Sequence, residues 1–224
     1  MGAVPPLPKG AAVAREIYPR LAVAYEDTLT RTECEELAEQ LLECSASATE
    51  PYSPATGGRS ADPAFAPSRT IAARAEHRSR VREAMERQRP AIEGFFGRPL
   101  ELGADIRFLR YGVGAFIKPH VDFADGPDVP EEIRERSVVV TLGLTGNDGP
   151  EAIRHGGGML ELYIRLPEAT ATPALAGTLV AFDARVIHAV TEVTRGTRLA
   201  AVGWLRIRAD DQGTDQNLRG VTDA

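Results

Sequence analysis

A chain of 224 residues with 43% hydrophobic and 26% charged side chains is long enough to bury a full core as one domain. Its formal charge of −6 argues against a nucleic-acid partner, because phosphate binding favours a basic surface. No apolar run nears the roughly 20 residues that span a bilayer, and Cys34 and Cys44 are too few for a disulfide framework or a cysteine zinc cluster, so no membrane partner is expected.

At the N-terminus, Pro5, Pro6 and Pro8 stand where a signal peptide keeps its apolar stretch, so the leader reads as extended, on a cytoplasmic protein. The first periodic element is a helix over about residues 31–44. Thr30 and Glu33 have capping-box spacing, and Cys34, Leu37, Ala38 and Leu41 fall on one face. From Ser45 to Ser68 the sequence turns to Ala, Ser, Pro and Gly, which predicts a mobile loop, equally a lid or a plain insertion. A second helix is predicted from Ala73 to Phe96, with Val81, Met85, Ile92 and Phe95 on its apolar face. Pro90 should kink or divide it. The arginines at 69, 74, 78, 80, 82, 87 and 89, and His77 among them, read as a solvated helix face.

After Gly97 come short strands at about 104–111, 115–122, 137–144, 158–164, 178–182, 186–190 and 198–207, separated by Gly, Pro and Asp clusters. Parallel neighbours would need crossover helices, and none is visible, so an antiparallel sandwich or barrel follows. Helices first and strands afterwards make the class α+β, with N-terminal helices packed outside a β-core. The expected organisation is a single domain over 1–224: a helical part over 1–99 holding loop 45–68, a core over 100–208, and a flexible tail over 209–224.

The chemistry begins at Pro119-His120-Val121-Asp122-Phe123. On a strand, residues i and i+2 project from one face, so His120 and Asp122 point together. Alone the pair is a weak signal, because the two side chains can simply hydrogen-bond. His188, in a later short strand, supplies a second imidazole. Two histidines and a carboxylate form the facial triad of non-haem Fe(II) oxygenases, which leaves three positions for cosubstrate and O2; a zinc site can use the same ligands. Arg198 opens the apolar strand Arg198-Leu199-Ala200-Ala201-Val202-Gly203-Trp204-Leu205. Burying its charge is costly without an anion, and its planar fork suits a carboxylate such as the distal one of 2-oxoglutarate.

Four ordered segments now stand together: Arg110-Tyr111-Gly112-Val113-Gly114, then Pro119 to Asp122, then Gly157-Gly158-Met159-Leu160-Glu161-Leu162, then His188 with Arg198 ten residues on. Over about residues 100–207 this resembles the prolyl 4-hydroxylase-like branch of the Fe(II)- and 2-oxoglutarate-dependent oxygenases. The resemblance implies a double-stranded β-helix (jelly-roll) core with Fe(II) held by His120, Asp122 and His188 inside one open end. It implies 2-oxoglutarate and O2 as cosubstrates, Arg198 as the carboxylate anchor, and Tyr111 as a further donor to it. Thr141, on the cavity face by alternation, is a candidate hydroxyl contact. Hydroxylation of an unactivated C–H bond follows, with succinate and CO2 as coproducts; desaturation or cyclisation would use the same site. Where the branch often has an aromatic residue this chain has Gly143, which should leave space in the pocket. His155, before three glycines, is placed near the mouth as a candidate substrate contact.

A small amino-acid-like or natural-product substrate is expected, since no peptide- or carrier-binding domain is recognisable. A prolyl or other peptidyl residue is the alternative. Two rivals use the same ligands: a non-catalytic jelly-roll sensor of metal or ligand, and a zinc hydrolase on a cupin-like barrel. Oligomeric state is not legible in the sequence.

Overall fold

The computed structural model describes residues 14–53, 58–59, 61–148, 150, 154–172 and 175–208; the predicted leader and the tail after Arg208 lie outside them. The N-terminal part runs β1 (Ala14–Tyr18), β2 (Ala22–Tyr25), α1 (Arg31–Glu43), β3 (Ala46–Ala48), β4 (Tyr52–Ser53), β5 (Gly58–Arg59), β6 (Arg69–Ile71) and α2 (Ala75–Phe96). It is followed by β7 (Leu100–Tyr111), β8 (Ile117–His120), α3 (Glu131–Arg134), β9 (Val138–Gly143), β10 (Gly156–Gly157) and β11 (Leu160–Arg165). The remainder is β12 (Glu168–Ala171), β13 (Leu179–Asp183), β14 (Ile187–Val190), β15 (Val193–Arg195) and β16 (Arg198–Ile207).

These strands build a double-stranded β-helix. An eight-stranded sheet has the order β1-β2-β13-β9-β16-β7-β6-β3, and a four-stranded sheet has the order β12-β11-β14-β8. Every pairing between the named strands is antiparallel. The period of two sorts each strand of the large sheet. Val138, Val140 and Leu142 of β9, Leu179 and Ala181 of β13, and Leu199 and Ala201 of β16 pack outward on α1 and α2. Val139, Val180 and Phe182 point the other way, against Leu160 and Leu162 of the small sheet. Five consecutive buried residues in β9 therefore need cover on both faces. The helices provide the outer cover; each fully buried Val or Leu contributes roughly 1.5–3 kcal/mol.

Helix α1 starts where expected, with the reciprocal Thr30–Glu33 capping box formed. Its last carbonyls, Leu41 and Leu42, and that of Cys44 accept from Arg110 Nη2 at 2.7, 3.0 and 3.2 Å. Cys34 is a buried free thiol and Cys44 a half-buried one.

Four expectations need correction. The part before residue 99 is not only helical: β1 and β2 extend the large sheet at one edge, and β6 and β3 at the other. Segment 45–68 is not one irregular loop but carries β3, β4 and β5, and its Phe65 carbonyl accepts from Lys118 N at 3.0 Å. Of the two outcomes expected at Pro90, a kink or a division, the division is absent, since α2 runs unbroken through it. The proline leaves the Glu86 carbonyl without its helical donor, while the buried stripe His77, Val81, Ala84, Met85, Gln88 and Ile92 anchors the helix on both sides of it. His77 is accordingly not solvated. It is 1% exposed, four residues before Val81 on the packed face. Nor do all the nearby arginines float in solvent: Arg78 donates to the Ile106 carbonyl, Arg82 to those of Gly103 and Ala104, and Arg87 to that of Thr28.

Candidate active site

Antiparallel pairing of β14 with β8 sets His188 directly opposite His120, with ring centroids 4.2 Å apart. Strand β8 ends at His120, so Asp122 does not sit on the strand as the period of two had implied. It lies two residues past the strand end, where its backbone N–H donates to the Ala184 carbonyl at 3.1 Å. From there the carboxylate still meets the histidines. Oδ1 is 3.7 Å from His120 Nε2, and Oδ2 is 4.0 Å from His188 Nε2. One nitrogen or oxygen from each of the three lies within 4.8 Å of the others.

Both imidazoles are oriented the same way. Nδ1 of His120 faces the Lys118 carbonyl at 2.8 Å, and Nδ1 of His188 faces that of Val186 at 3.0 Å. A proton on Nδ1 serves those carbonyls and leaves the Nε2 lone pairs facing Asp122. Burial, offset in part by Asp122, pushes the His188 pKa down to about 4, so its ring is neutral near pH 7. Burial also pushes the Asp122 carboxyl up, but His188, His120, Arg136 and a Trp204 hydrogen bond outweigh it and hold it below its ordinary value. Trp204 Nε1 donates to Asp122 Oδ2 at 2.8 Å, and Arg136 Nη1 donates to the Asp122 carbonyl at 3.1 Å.

Arg198 enters the same cavity from β16. It is 8% exposed, pairs in register with Tyr111 of β7, and lies over the Tyr111 ring with Cζ 4.7 Å from the centroid. Among the described residues its Nη1 is buried without a hydrogen-bond partner. Thr141, on β9, faces the cavity beside it. The cavity measures about 550 Å³ and brings together all six residues singled out in the sequence: Tyr111, His120, Asp122, Thr141, His188 and Arg198.

Residues 106–206, which contain every one of these groups, match the profile of the 2OG-Fe(II) oxygenase superfamily. That segment is a 2OG-Fe(II) oxygenase domain. Fe(II), 2-oxoglutarate and O2 are the cofactors that chemistry uses. Over 140 residues this oxygenase is 36% identical to a PKHD-type hydroxylase of Maricaulis maris, an overlap of 60% of this chain and 56% of that protein. The chain spans about half the length of the curated relatives it matches. A Pseudomonas putida prolyl-4-hydroxylase, 23% identical, shares the fold with a TM-score of 0.60 over 84% of this chain and 92% of that one. HygX from Streptomyces hygroscopicus, solved with nickel, 2-oxoglutarate and hygromycin B bound, is 13% identical and reaches 0.56 over 84% and 83%. These neighbours show that the double-stranded β-helix fold is shared.

Two sequence expectations about the oxygenase pocket do not hold. His155 is not at the mouth: it is 1% exposed and lines a separate cavity of about 30 Å³ behind Arg198, its Nδ1 3.2 Å from the Gly157 carbonyl. Burial, with Arg198 beside it, holds its pKa below the usual imidazole value. Gly143 does not simply open space either. A Cβ there would stand 2.9 Å from the Leu175 carbonyl oxygen, so the glycine answers a close backbone approach.

Other lining residues were missed altogether. Trp204 and Arg136 touch Asp122, Phe182 packs edge-on to His188 with centroids 4.7 Å apart, and Phe65 does the same to His120 at 5.7 Å. The signal for Trp204 was present: it stands six residues from Arg198, on the same face by alternation.

Proposed function

We infer that the chain is one oxygenase domain that hydroxylates a C–H bond, with His120, Asp122 and His188 holding Fe(II) and Arg198 receiving the distal carboxylate of 2-oxoglutarate. The observation that carries this is a buried guanidinium with an unpartnered Nη1, sharing a cavity with a converging His-Asp-His set. The donor set fits the metal. Two neutral imidazole nitrogens and one carboxylate are a borderline-hard combination that suits Fe(II) and leaves open positions. The orphaned arginine fits the cosubstrate, since a buried cation of this kind is stabilised by an anion in bidentate contact.

Iron and 2-oxoglutarate, when bound, supply with O2 the oxidising chemistry, which releases succinate and CO2 and leaves a hydroxyl on the substrate. The protein's own residues do the rest. Trp204 holds one oxygen of Asp122 and so fixes the carboxylate's rotation. Carbonyls of Lys118 and Val186 keep Nε2 of each histidine free for the metal. Tyr111 backs the arginine with its ring and adds a hydroxyl at the anchor, and Thr141 a second one, for the cosubstrate carboxylate. The apolar walls, Phe65, Phe182 and Leu160 among them, keep water from the reacting carbon.

A small amino-acid-like or natural-product substrate suits a cavity of about 550 Å³ whose wall includes Tyr52, Phe65 and other residues of segment 45–68. That segment is the element we assign to covering the substrate. A zinc hydrolase is disfavoured: beyond the three ligands, the described lining holds one further carboxylate, Asp62, whose Oδ1 already accepts from Ala64 N at 2.9 Å. Among the described residues no helix is long and apolar enough to cross a membrane.

The test is succinate formation from 2-oxoglutarate with Fe(II) and O2, across free amino acids, N-acylated amino acids and proline-containing peptides. Fe(II)-dependent succinate that rises with one small substrate and disappears in Asp122→Ala is the expected result. Stimulation by peptides alone would make it a peptidyl hydroxylase. Tight 2-oxoglutarate binding with no succinate under any condition would favour the sensor.

A further inference from the structure

Behind Arg198 lies the second cavity, of about 30 Å³, which the chemistry assigned so far leaves unused. Thr145, His155, Thr172 and Thr178 line only this space. Thr141, Leu160 and Arg198 line both it and the large cavity, so the two spaces meet at the guanidinium. An ordered water needs about 10–15 Å³ of such space, which makes the room equal to about two groups of that size.

The lining is polar and carries a single charge. Thr145, Thr172 and Thr178 are buried, and hydroxyls at that depth need partners. Thr145 Oγ1 accepts from Leu199 N at 2.8 Å, so its own proton remains for a second partner. His155 turns Nδ1 to the Gly157 carbonyl, and burial, with Arg198 beside it, holds its pKa below the ordinary 6.5, so the ring is neutral near pH 7. Arg198 is therefore the one charged group among the described lining residues, and its Nη1 has no hydrogen-bond partner among them. The backbone around the threonines is fixed. Thr172 N donates to the Leu160 carbonyl at 2.8 Å, and Gly143 N donates to that of Thr178 at 3.0 Å.

We propose that this end of the site also takes 2-oxoadipate, a 2-oxo dicarboxylate one methylene longer than 2-oxoglutarate, with its distal carboxylate against Arg198 and among the hydroxyls of Thr145, Thr172 and Thr178. A closely packed pocket rejects one extra methylene by about 10–200-fold. Here the second cavity takes up the added length, and the threonine hydroxyls donate to carboxylate lone pairs that the guanidinium leaves unfilled. This rests on the reading that Arg198 receives 2-oxoglutarate. The reaction balances as it does for the shorter acid. The bond between C1 and C2 breaks and C1 leaves as CO2. One oxygen atom of O2 joins C2, giving glutarate in place of succinate, and the other enters the substrate C–H bond.

The experiment follows the metal-to-cosubstrate absorption band of the Fe(II)-loaded protein, without O2, as 2-oxoglutarate, 2-oxoadipate or 2-oxohexanoate is added. The last keeps the six-carbon chain and lacks the distal carboxylate. Binding of 2-oxoadipate is expected within tenfold of 2-oxoglutarate and at least tenfold tighter than that of 2-oxohexanoate. Thr172→Val and Thr178→Val keep the side-chain shape and remove the hydroxyl. Each should weaken 2-oxoadipate by about tenfold while 2-oxoglutarate affinity holds, which also shows that the variant is folded. Thr172→Ser and Thr178→Ser should restore the longer acid. The three-acid comparison on the native protein needs no variant. A loss of more than tenfold for 2-oxoadipate, equal binding of 2-oxohexanoate, or valine variants that treat both dicarboxylates alike would overturn the proposal. A band with 2-oxoglutarate alone sinks only the proposal, whereas no band with either dicarboxylate sinks the metal and cosubstrate reading along with it.

Discussion

Asp122 must keep a negative charge inside a barrel where burial alone would neutralise it. Two imidazoles, a guanidinium and an indole N–H surround it, and together they outweigh the desolvation. Trp204→Phe keeps the ring and removes only the donor. It should weaken metal binding by about 10–100-fold, the usual effect of losing a group that orients a ligand, with little change in fold. Titration with Co(II) or anaerobic Fe(II) checks this, and an unchanged affinity would show that the bond is incidental. Arg198→Gln removes a charge-assisted partner worth about 1.5–3 kcal/mol, so affinity for 2-oxoglutarate should fall by about 10–100-fold while metal affinity holds. His188 makes a pH prediction. Burial sets its folded pKa at about 4, below the ordinary imidazole value of 6.5. Between those values the unfolded chain binds more protons, so the stability of the metal-free protein should rise with pH across that window and lose up to about 3 kcal/mol as pH falls through it. Urea unfolding at pH 4.5 and 7 measures the difference, and His188→Gln should lack this part of it.

Among the elements, α1 was the most legible, because capping chemistry and the 3.6-residue period coincide at Thr30 to Leu41. Thr30→Ala should cost about 1 kcal/mol in thermal or urea unfolding, since a side-chain acceptor for a helix-terminal N–H is lost. The charged neighbours of His77 conceal its burial: they point outward, while the stripe of Val81, Met85 and Ile92, extended back one turn, includes it. Strands β1 and β2 were not legible. Four residues of Ala22-Val23-Ala24-Tyr25 carry too little pattern, and their partner β13 lies more than a hundred residues away. The turn at Gly157 and Gly158 was seen, but not its purpose. Both glycines have positive φ, and a Cβ on Gly158 would stand 2.8 Å from Arg198 Cδ. Gly158→Ala should therefore weaken 2-oxoglutarate binding by displacing the arginine, and leave metal affinity unchanged; isothermal titration of each ligand separates the two effects.

At the scale of the whole molecule, the large sheet supplies the arginine, tyrosine and threonine of the cavity, while β14, β8 and the residues just after β8 supply the His-Asp-His set. Of the six residues that line the cavity, His120, Asp122, His188 and Arg198 stood out by their own chemistry, since a buried arginine and a His-x-Asp near a later histidine each demand a partner, whereas Tyr111 came from the resemblance and Thr141 from strand alternation. Arg136 and Trp204 were not, because their importance arises only when β16 passes beside the segment after β8. Likewise Arg59, Arg107 and Arg136 line one cavity from three stretches of chain that no local pattern connects. We propose that both halves of the site act on one metal–cosubstrate unit. Anaerobic visible absorption of the protein with Fe(II) and 2-oxoglutarate, beside His188→Ala and Arg198→Gln, tests this. A metal-to-cosubstrate charge-transfer band is expected in the native protein, absent from the histidine variant and reached only at higher 2-oxoglutarate in the arginine variant. A folded, iron-binding protein that shows no band at any 2-oxoglutarate concentration would contradict it.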